Sequence, residues 1–178
     1  MLNISSINQG QIQSTNVRRA IEYAEKYHKG QFRKSMQREP MITHCLNVGD
    51  ILTKTGSSDS TVIAGILHDT IEDTVVKKQN LVQEFGTKVA DLVGCVTESS
   101  TTKDWMKRCN LYISKLKKSP VEAMCISAAD KIDNMRSISD NLTKGYNIFA
   151  NMQGTPEMQL KKFTGVYDVI NGKVPVNL

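Results

Sequence analysis

The chain has 178 residues and a mass of 19.9 kDa, which is the size of one domain, and its apolar fraction of 39% is enough for one continuous core. The length leaves no room for a second catalytic domain, no apolar run approaches the ~18 residues of a membrane span, and the polar first residues lack the pattern of a signal peptide. We therefore expect a cytoplasmic protein. A formal net charge of +5 favours an anionic ligand such as a nucleotide, although many soluble proteins are as basic.

The four cysteines lie far apart along the chain. They include no Cys-x-x-Cys pair of the kind that indicates a structural zinc site or a redox centre. We expect reduced thiols that are mostly buried. The residues are Cys45, Cys95, Cys109 and Cys125.

The chain begins with a polar lead-in, residues 1–14, and residues 15–178 are expected to form a single domain. Thr15 or Asn16 can cap a first helix, which Gly30 ends. The next stretch, residues 29–38, interleaves basic side chains with one aromatic residue. Such a loop can clamp a base or a phosphate, but on composition alone a solvated connector explains it equally well.

A second helix is predicted from Ile42 to about Lys54, with His44 in its first turn. A lone histidine at such a position is most often structural. Asp59 or Ser60 can cap a third helix, which is strongly apolar and ends in two pairs of polar residues.

The two pairs at the end of the third helix are His68-Asp69 and Glu72-Asp73. An imidazole beside a carboxylate suits Mn, Fe, Co or Zn, because these ions accept nitrogen and oxygen donors together. The four-residue spacing keeps the second pair beside the first, close enough to a metal-bound water to move protons. For the isolated His-Asp dipeptide, a helix end with a stray histidine and a solvated acidic turn is the commoner explanation.

The middle of the chain predicts two short helices, Asn80–Phe85 and Thr87–Val96, broken at Gly86. Asp104 can cap the next helix, which lies in the densest basic region of the chain. These basic side chains can receive phosphates, although a solvated helix face is the more ordinary interpretation.

Pro120, at a first-turn position, opens a helix that is predicted to run from Val121 to about Ile138. Asp130 lies well inside this helix, where a carboxylate is costly to bury unless it binds a metal or pairs with a lysine, and both remain open. Residues 141–155 are predicted as a loop with one helical turn, and Pro156 opens a last amphipathic helix. The pattern predicts an all-α single domain.

Taken in order, the motifs resemble those of the HD superfamily of metal-dependent phosphohydrolases. The segments that carry the resemblance are His44, Leu67–Thr74 (LHDTIEDT) and Ala129–Arg136 (ADKIDNMR). Within the superfamily, they are similar to the hydrolase domain of RelA/SpoT proteins and to single-domain small alarmone hydrolases, including metazoan SpoT homologues. The resemblance covers about Val17 to Ile138 and implies an HD-type helical bundle over residues 15–178.

The resemblance also implies a role for each matching residue. One metal ion, usually Mn²⁺ in this family, is expected to be bound by His44, His68, Asp69 and Asp130. The acid pair that orients or deprotonates the attacking water and assists the leaving group is Glu72 and Asp73. The expected substrate contacts are Arg33 and Lys34, which match the basic pair on the guanine, and Asn134, which matches a polar residue beside the nucleotide. His28 is left as ordinary helix surface.

The sequence departs from the family pattern around the nucleotide rather than around the metal. Met41 and Cys45 stand where family members usually have tyrosine and proline, and Asp133 stands where many have histidine or tyrosine. The last helix carries Gln159–Phe163 (QLKKF) where many bacterial relatives place aromatic residues. The metal set is therefore matched in full, and the nucleotide pocket is matched in part.

Three functions are consistent with these residues. The first is hydrolysis of the 3′-pyrophosphate of guanosine tetra- or pentaphosphate to GDP or GTP and pyrophosphate, with a small guanine nucleotide as the partner. The second is a phosphatase on another nucleotide, such as the 2′-phosphate of NADPH or a nucleotide 3′-phosphate, which the departures at Met41, Cys45 and Asp133 motivate. The third is a non-catalytic nucleotide sensor, against which the intact Glu72 and Asp73 argue. No motif supports nucleic-acid or membrane binding.

Overall fold

The computed structural model describes residues 15–34, 38–99 and 101–178. In these ranges the chain is helical, and its only β-type pairing is an isolated bridge between Phe32 and Pro40. The prediction of an all-α fold is confirmed. The predicted lead-in, residues 1–14, lies outside the described residues.

The helices follow the predicted order and differ from the prediction mainly at their ends. They are α1 (Thr15–Tyr27), α2 (Met41–Lys54), α3 (Asp59–Ile66), α4 (Thr70–Asp73), α5 (Lys78–Val96), α6 (Trp105–Leu116), α7 (Val121–Thr143) and α8 (Pro156–Ile170), with a 3-10 turn at Ile148–Asn151. The break predicted at Gly86 is present inside α5, where the φ of +83° is a conformation that glycine adopts without steric cost.

The structure corrects two predicted helix-start residues and one predicted helix end. The cap of α3 is Ser58, whose side chain accepts a hydrogen bond from the Thr61 N–H, rather than Asp59 or Ser60. Pro120 occupies the cap position of α7, one residue before the first turn. That helix also continues past the predicted end to Thr143, because no helix-breaking residue intervenes before Gly145, where φ is +78°.

Helix α3 is the centre of the core. Its residues Thr61–Ile66 are all buried, and it packs against α1, α2, α5 and α7, while α8 lies against α6 and α7. Cys45, Cys109 and Cys125 are buried and Cys95 is partly exposed, so the expectation of mostly buried cysteines is confirmed. None of the helices in the described ranges is both long and apolar enough to cross a bilayer.

Helices α2 and α3 approach each other closely because glycines lie at their contact. A Cβ atom on Gly65 would lie 2.3 Å from Leu52 Cδ1, and one on Gly49 would lie 2.7 Å from Ile66 Cγ1. The side chains on either side are buried and have little room to move. This close packing brings the first turn of α2 beside the C-terminal end of α3.

Candidate active site

Three of the predicted metal ligands come from α2, from the turn between α3 and α4, and from α7, and they meet at one point. His44, His68 and Asp130 each offer a ligand atom, and these atoms lie within 4.8 Å of one another. The His44 Nε2 atom is 3.1 Å from His68 Nε2 and 3.3 Å from Asp130 Oδ1. All three residues are buried. Two imidazoles and a carboxylate form a donor set that suits a divalent transition metal.

Asp69, the fourth predicted ligand, lies at the same point. Its Oδ1 atom is 3.2 Å from His68 Nε2, and its Oδ2 atom is 3.6 Å from His44 Nε2. The histidine nitrogens hold the pKa of this carboxyl at about 2 despite its burial, so Asp69 is anionic at neutral pH. The structure therefore brings all four residues together.

The hydrogen bonds of the two histidines leave the same nitrogen available on each ring. The Nδ1 atom of His68 is 2.8 Å from the Gly65 carbonyl oxygen, which only accepts, so this nitrogen carries the proton. The Nδ1 atom of His44 is 2.6 Å from Asp133 Oδ2 and donates to it in the same way. Both Nε2 atoms are thereby left available to coordinate a cation, because the proton on the other nitrogen fixes the tautomer.

Carboxylates hold protons on these histidines when no cation is bound. Burial opposes the charge on His44, but hydrogen bonds with Asp130 and Asp133 outweigh it and raise the pKa of His44 to about 9. Burial also opposes the ionisation of Asp130, yet the charge of Lys131 and the histidines lower its pKa well below the usual value. A metal ion must displace the histidine protons, so metal binding competes with protonation.

The predicted acid pair, Glu72 and Asp73, lies on the short helix α4, beside the predicted metal ligands. The Glu72 Oε2 atom accepts a hydrogen bond of 2.8 Å from the Glu98 N–H. Partial burial raises the pKa of Glu72 to about 7, with the charges of Asp69 and Asp73 adding to the effect. The pKa of Asp73 is raised by burial and by Asp69. A carboxyl group with a pKa near 7 is suited to proton transfer at neutral pH.

The predicted metal ligands and the predicted acid pair line one cleft of about 620 Å³, a size typical of small-molecule sites. Its walls include cations and aromatic rings. The cations are Arg33, Lys34, Lys103, Arg108, Lys131 and Lys162, and the rings are Phe32, Trp105, Tyr112 and Phe163. The cleft therefore combines positive charge with surfaces on which a planar base can stack.

The model of one family, the HD domain, matches residues 20–153, which is well over half of the chain. The chain belongs to the HD domain family. In this HD domain protein, the His-Asp pair is His68-Asp69, which lies between α3 and α4. The fold predicted from the ordered motifs is confirmed.

Several known proteins are similar to this HD domain protein. The guanosine-3′,5′-bis(diphosphate) 3′-pyrophosphohydrolase MESH1 of Drosophila melanogaster is 33% identical over 128 residues, which cover 71% of this chain and 71% of MESH1. A solved structure described as a metazoan orthologue of SpoT that hydrolyses ppGpp matches with a TM-score of 0.78 and 28% identity, covering 92% of this chain and 90% of that one.

Other relatives are much longer than this HD domain protein. A GTP pyrophosphokinase of Streptomyces coelicolor is 35% identical over 145 residues, which are 78% of this chain and 17% of that protein. The chain likewise spans 18% of the probable GTP diphosphokinase RSH2 of Arabidopsis thaliana, to which it is 32% identical.

Asp133 is a residue of this HD domain protein whose role the sequence did not reveal. Besides accepting from His44, it pairs with Arg33 Nη1 at 2.5 Å through Oδ2 and accepts from Asn47 Nδ2 at 2.7 Å through Oδ1. Burial opposes its ionisation, but the His44 hydrogen bond and the Arg33 charge lower its pKa. The negative charge noted in the sequence is thus paired, and the carboxylate holds the ring of His44, a predicted metal ligand.

We expect the substitution Asp133→Asn to weaken metal binding about 10- to 100-fold, the effect typical of losing the carboxylate partner of a metal-binding histidine. The amide keeps the size of the side chain but removes the charge that faces His44 Nδ1. Calorimetric titration of Mn²⁺ into metal-stripped protein measures the change. Asp140→Asn, at an exposed position on the same helix, is the matched control. An affinity of Asp133→Asn equal to the control would exclude this orienting role.

The residues predicted to contact the substrate all line the cleft, but two of them also bond to the protein. Arg33 is held by Asp133, and its Nε atom lies 3.8 Å from Glu39. Asn134 donates to Asp130 Oδ1, so it supports a predicted metal ligand. Lys34 is exposed in the cleft wall.

Asp130 pairs with a lysine, which was one of the two interpretations left open by its sequence context, and its role as a metal ligand stays a prediction. Its Oδ1 atom faces His44, and its Oδ2 atom forms an ion pair with Lys131, the next residue along the chain. The carboxylate is therefore shared between the two histidines and a partly buried lysine.

The expectation that His28 is ordinary helix surface is wrong. Its exposed fraction is 3%, and its Nδ1 atom lies 2.7 Å from Gln31 Oε1. The reason is periodicity, because His28 follows Ala20 and Ala24 at four-residue intervals on the buried face of α1 and continues that face just past the helix end.

Proposed function

We propose that this protein is a metal-dependent hydrolase that removes the 3′-pyrophosphate of guanosine tetra- or pentaphosphate, giving GDP or GTP and pyrophosphate. The observation that carries the proposal is that His44, His68 and Asp130, with Asp69 beside them, meet the acid pair in one cleft. The similarity to MESH1, which extends over 71% of both chains, supports the same substrate.

The proposed cofactor is one Mn²⁺ ion bound by His44, His68, Asp69 and Asp130. Their nitrogen and oxygen donors fit such an ion, and both histidines already present Nε2. When bound, a divalent ion supplies Lewis acidity and lowers the pKa of a coordinated water.

Glu72 and Asp73 are proposed to carry the proton transfers. Water attacks the phosphorus that is bonded to the 3′ oxygen of the ribose, and Glu72 accepts the proton that the water loses. The bond between phosphorus and the 3′ oxygen breaks, and Asp73 assists the leaving oxygen, which takes up a proton. The raised pKa of both groups suits them to exchange protons near neutral pH.

The guanine is proposed to contact Arg33, with Lys34 and Asn134 beside the nucleotide. Asp133 engages the nitrogen edge of the Arg33 guanidinium, so a stacked base would lie against the planar face of a side chain that lines the cleft. Lys34 is exposed and offers a cation to a phosphate group. Asn134 lies one helical turn beyond Asp130, so it can reach a nucleotide near the metal.

Release of pyrophosphate from guanosine tetraphosphate by the Mn²⁺-loaded protein tests the function. We expect GDP and pyrophosphate in equal amounts, and a parallel panel contains NADPH and nucleoside 3′-phosphates. Orthophosphate from a member of that panel, with no pyrophosphate from the alarmone, would assign the cleft to a nucleotide phosphatase. Tight nucleotide binding without any turnover would assign it to a sensor.

A further inference from the structure

The segment that follows α5 contacts Glu72 through its backbone. The N–H of Glu98 donates to Glu72 Oε2 at 2.8 Å, and this bond crosses from the α5–α6 connection to the acid pair on α4. A backbone donor favours the ionised carboxylate and fixes the direction in which it points. The position of residue 98 therefore sets the orientation of Glu72.

The side chain of Glu98 is held by two cations from different helices. Lys162 of α8 forms an ion pair with Oε1, and Arg108 of α6 lies 3.8 Å from Oε2. The three side chains are between 15% and 18% exposed, so this cluster is largely shielded from water. Ion pairs in such surroundings are stronger than those at an open surface.

Further contacts restrain the same segment from both sides. Arg108 donates to the carbonyl oxygens of Thr102 and Lys103 and to the Gln153 side chain. On the other side, Lys115 donates to the carbonyl oxygen of Thr97. The backbone around Glu98 is consequently fixed by α6 and α8, and the link to α8 is made by Lys162.

These contacts also indicate whether Lys162 and Arg108 bind substrate phosphates or hold the segment around Glu98. A lysine and an arginine facing a cleft can bind substrate phosphates, but Lys162 and Arg108 are already engaged by Glu98 and by neighbouring oxygens. The Lys162 ammonium also lies 5.8 Å from the centre of the Trp105 ring and 5.9 Å from that of Tyr112. Both interactions fix the lysine in place.

We propose that Glu98 and Lys162 are positioning residues that hold the backbone N–H of residue 98 against Glu72, so that helix α8 determines the orientation of the acid pair. This role rests on the proposed function for its catalytic consequence, since Glu72 is the proton acceptor there. Lys162 lies beyond residues 20–153, the part matched by the family model, so α8 adds this restraint from outside the matched region.

The test compares Lys162→Met with Lys161→Met, a neighbouring exposed lysine on the same helix. We expect Lys162→Met to lower kcat for guanosine tetraphosphate about 10-fold with KM changed less than about 2-fold, because a misoriented acid affects the chemical step rather than binding. Lys162→Arg should retain most of the native kcat, and Lys161→Met should match the native protein.

Hydrogen exchange of the backbone amides of residues 97–99 provides a readout that does not depend on turnover. We expect exchange in Lys162→Met to be about 10-fold faster than in the native protein, because the restraint on this segment is lost. Native amide exchange together with native kcat in Lys162→Met would overturn the proposal. A raised KM with native kcat would overturn it too, by assigning Lys162 to phosphate binding.

These measurements separate the two proposals. If the native protein releases pyrophosphate while Lys162→Met equals it in both readouts, only the positioning role is wrong. If the native protein releases none from the alarmone, the proposed substrate is wrong, and the exchange rates still decide whether Lys162 restrains residue 98.

Discussion

Replacing His68 with alanine is expected to lower the turnover of guanosine tetraphosphate by a factor on the order of 10³ or more, because a metal supplies several kcal/mol of transition-state stabilisation in such reactions. His68 is 4% exposed, and its Nε2 atom lies 3.1 Å from that of His44. The measurement is pyrophosphate release with saturating Mn²⁺, accompanied by calorimetric titration of Mn²⁺ into the metal-stripped variant.

The loss of turnover in His68→Ala should result from the loss of metal binding rather than from unfolding. Circular dichroism and thermal unfolding of the metal-free native and variant proteins show whether the helices persist, and excess Mn²⁺ should restore little activity. Turnover above a tenth of the native value, together with unchanged metal affinity, would show that His68 is not a ligand.

Glu72→Gln is expected to lower kcat by about 10²- to 10⁴-fold, the usual contribution of a general acid or base. Metal affinity should stay close to the native value, because Glu72 lies outside the set formed by His44, His68 and Asp130. A variant that loses metal affinity in proportion to activity would instead make Glu72 a ligand. Steady-state kinetics and calorimetry on the same samples distinguish the two outcomes.

The raised pKa of Glu72 also predicts the pH dependence of the native enzyme. Below a pH of about 7 the carboxyl becomes protonated and no longer accepts the proton of the attacking water, so kcat/KM should fall as the pH decreases. A bound cation favours the carboxylate and moves this limb to lower pH. The profile of Glu72→Gln should lack the limb.

The raised pKa of Glu72 also affects stability. Its ionised form lowers the free energy of unfolding, whereas the ionised form of a salt-bridged carboxylate, with its lowered pKa, raises it. The pKa of Glu72 is about 7 in the folded protein against a usual value of 4.5, so folding binds a proton between these values. The ionisation of Glu72 therefore lowers the free energy of unfolding progressively as the pH rises from about 4.5 to about 7, and by its full amount at higher pH. Metal-free Glu72→Gln should unfold at a higher temperature than the native protein at pH 8, with little difference near pH 5.

The meeting of the two histidines with Asp69 and Asp130 could be predicted because these residues are recognisable types in a fixed order along the chain, and their role as metal ligands stays a prediction. The packing of the helices brings these residues together in space. Gly49 and Gly65 let α2 and α3 approach closely enough for His44 and His68 to lie in contact. Helix positions were likewise predictable from periodicity, and the errors fell at helix ends, where a cap such as Ser58 competes with neighbouring candidates of the same type.

The supporting contacts could not be predicted, because they join residues that have no sequence relation to one another. Lys162 and Glu98 are 64 positions apart, and Arg33 and Asp133 are 100 apart. A lysine on a surface helix and an aspartate beside a motif have many potential partners, and only the packing of the helices selects one. The roles of Arg33, Lys34 and Asn134 toward substrate remain predictions.

The convergence of ligands from α2, α7 and the α3–α4 turn makes any ion bound there a cross-link between distant parts of the chain. Unfolding separates these segments and releases the ion, so the free energy of unfolding must rise with the concentration of free metal, by about 2.7 kcal/mol at 100 times the dissociation constant. The amount of folded protein in a cell would then follow the supply of that metal, independently of any need for catalysis.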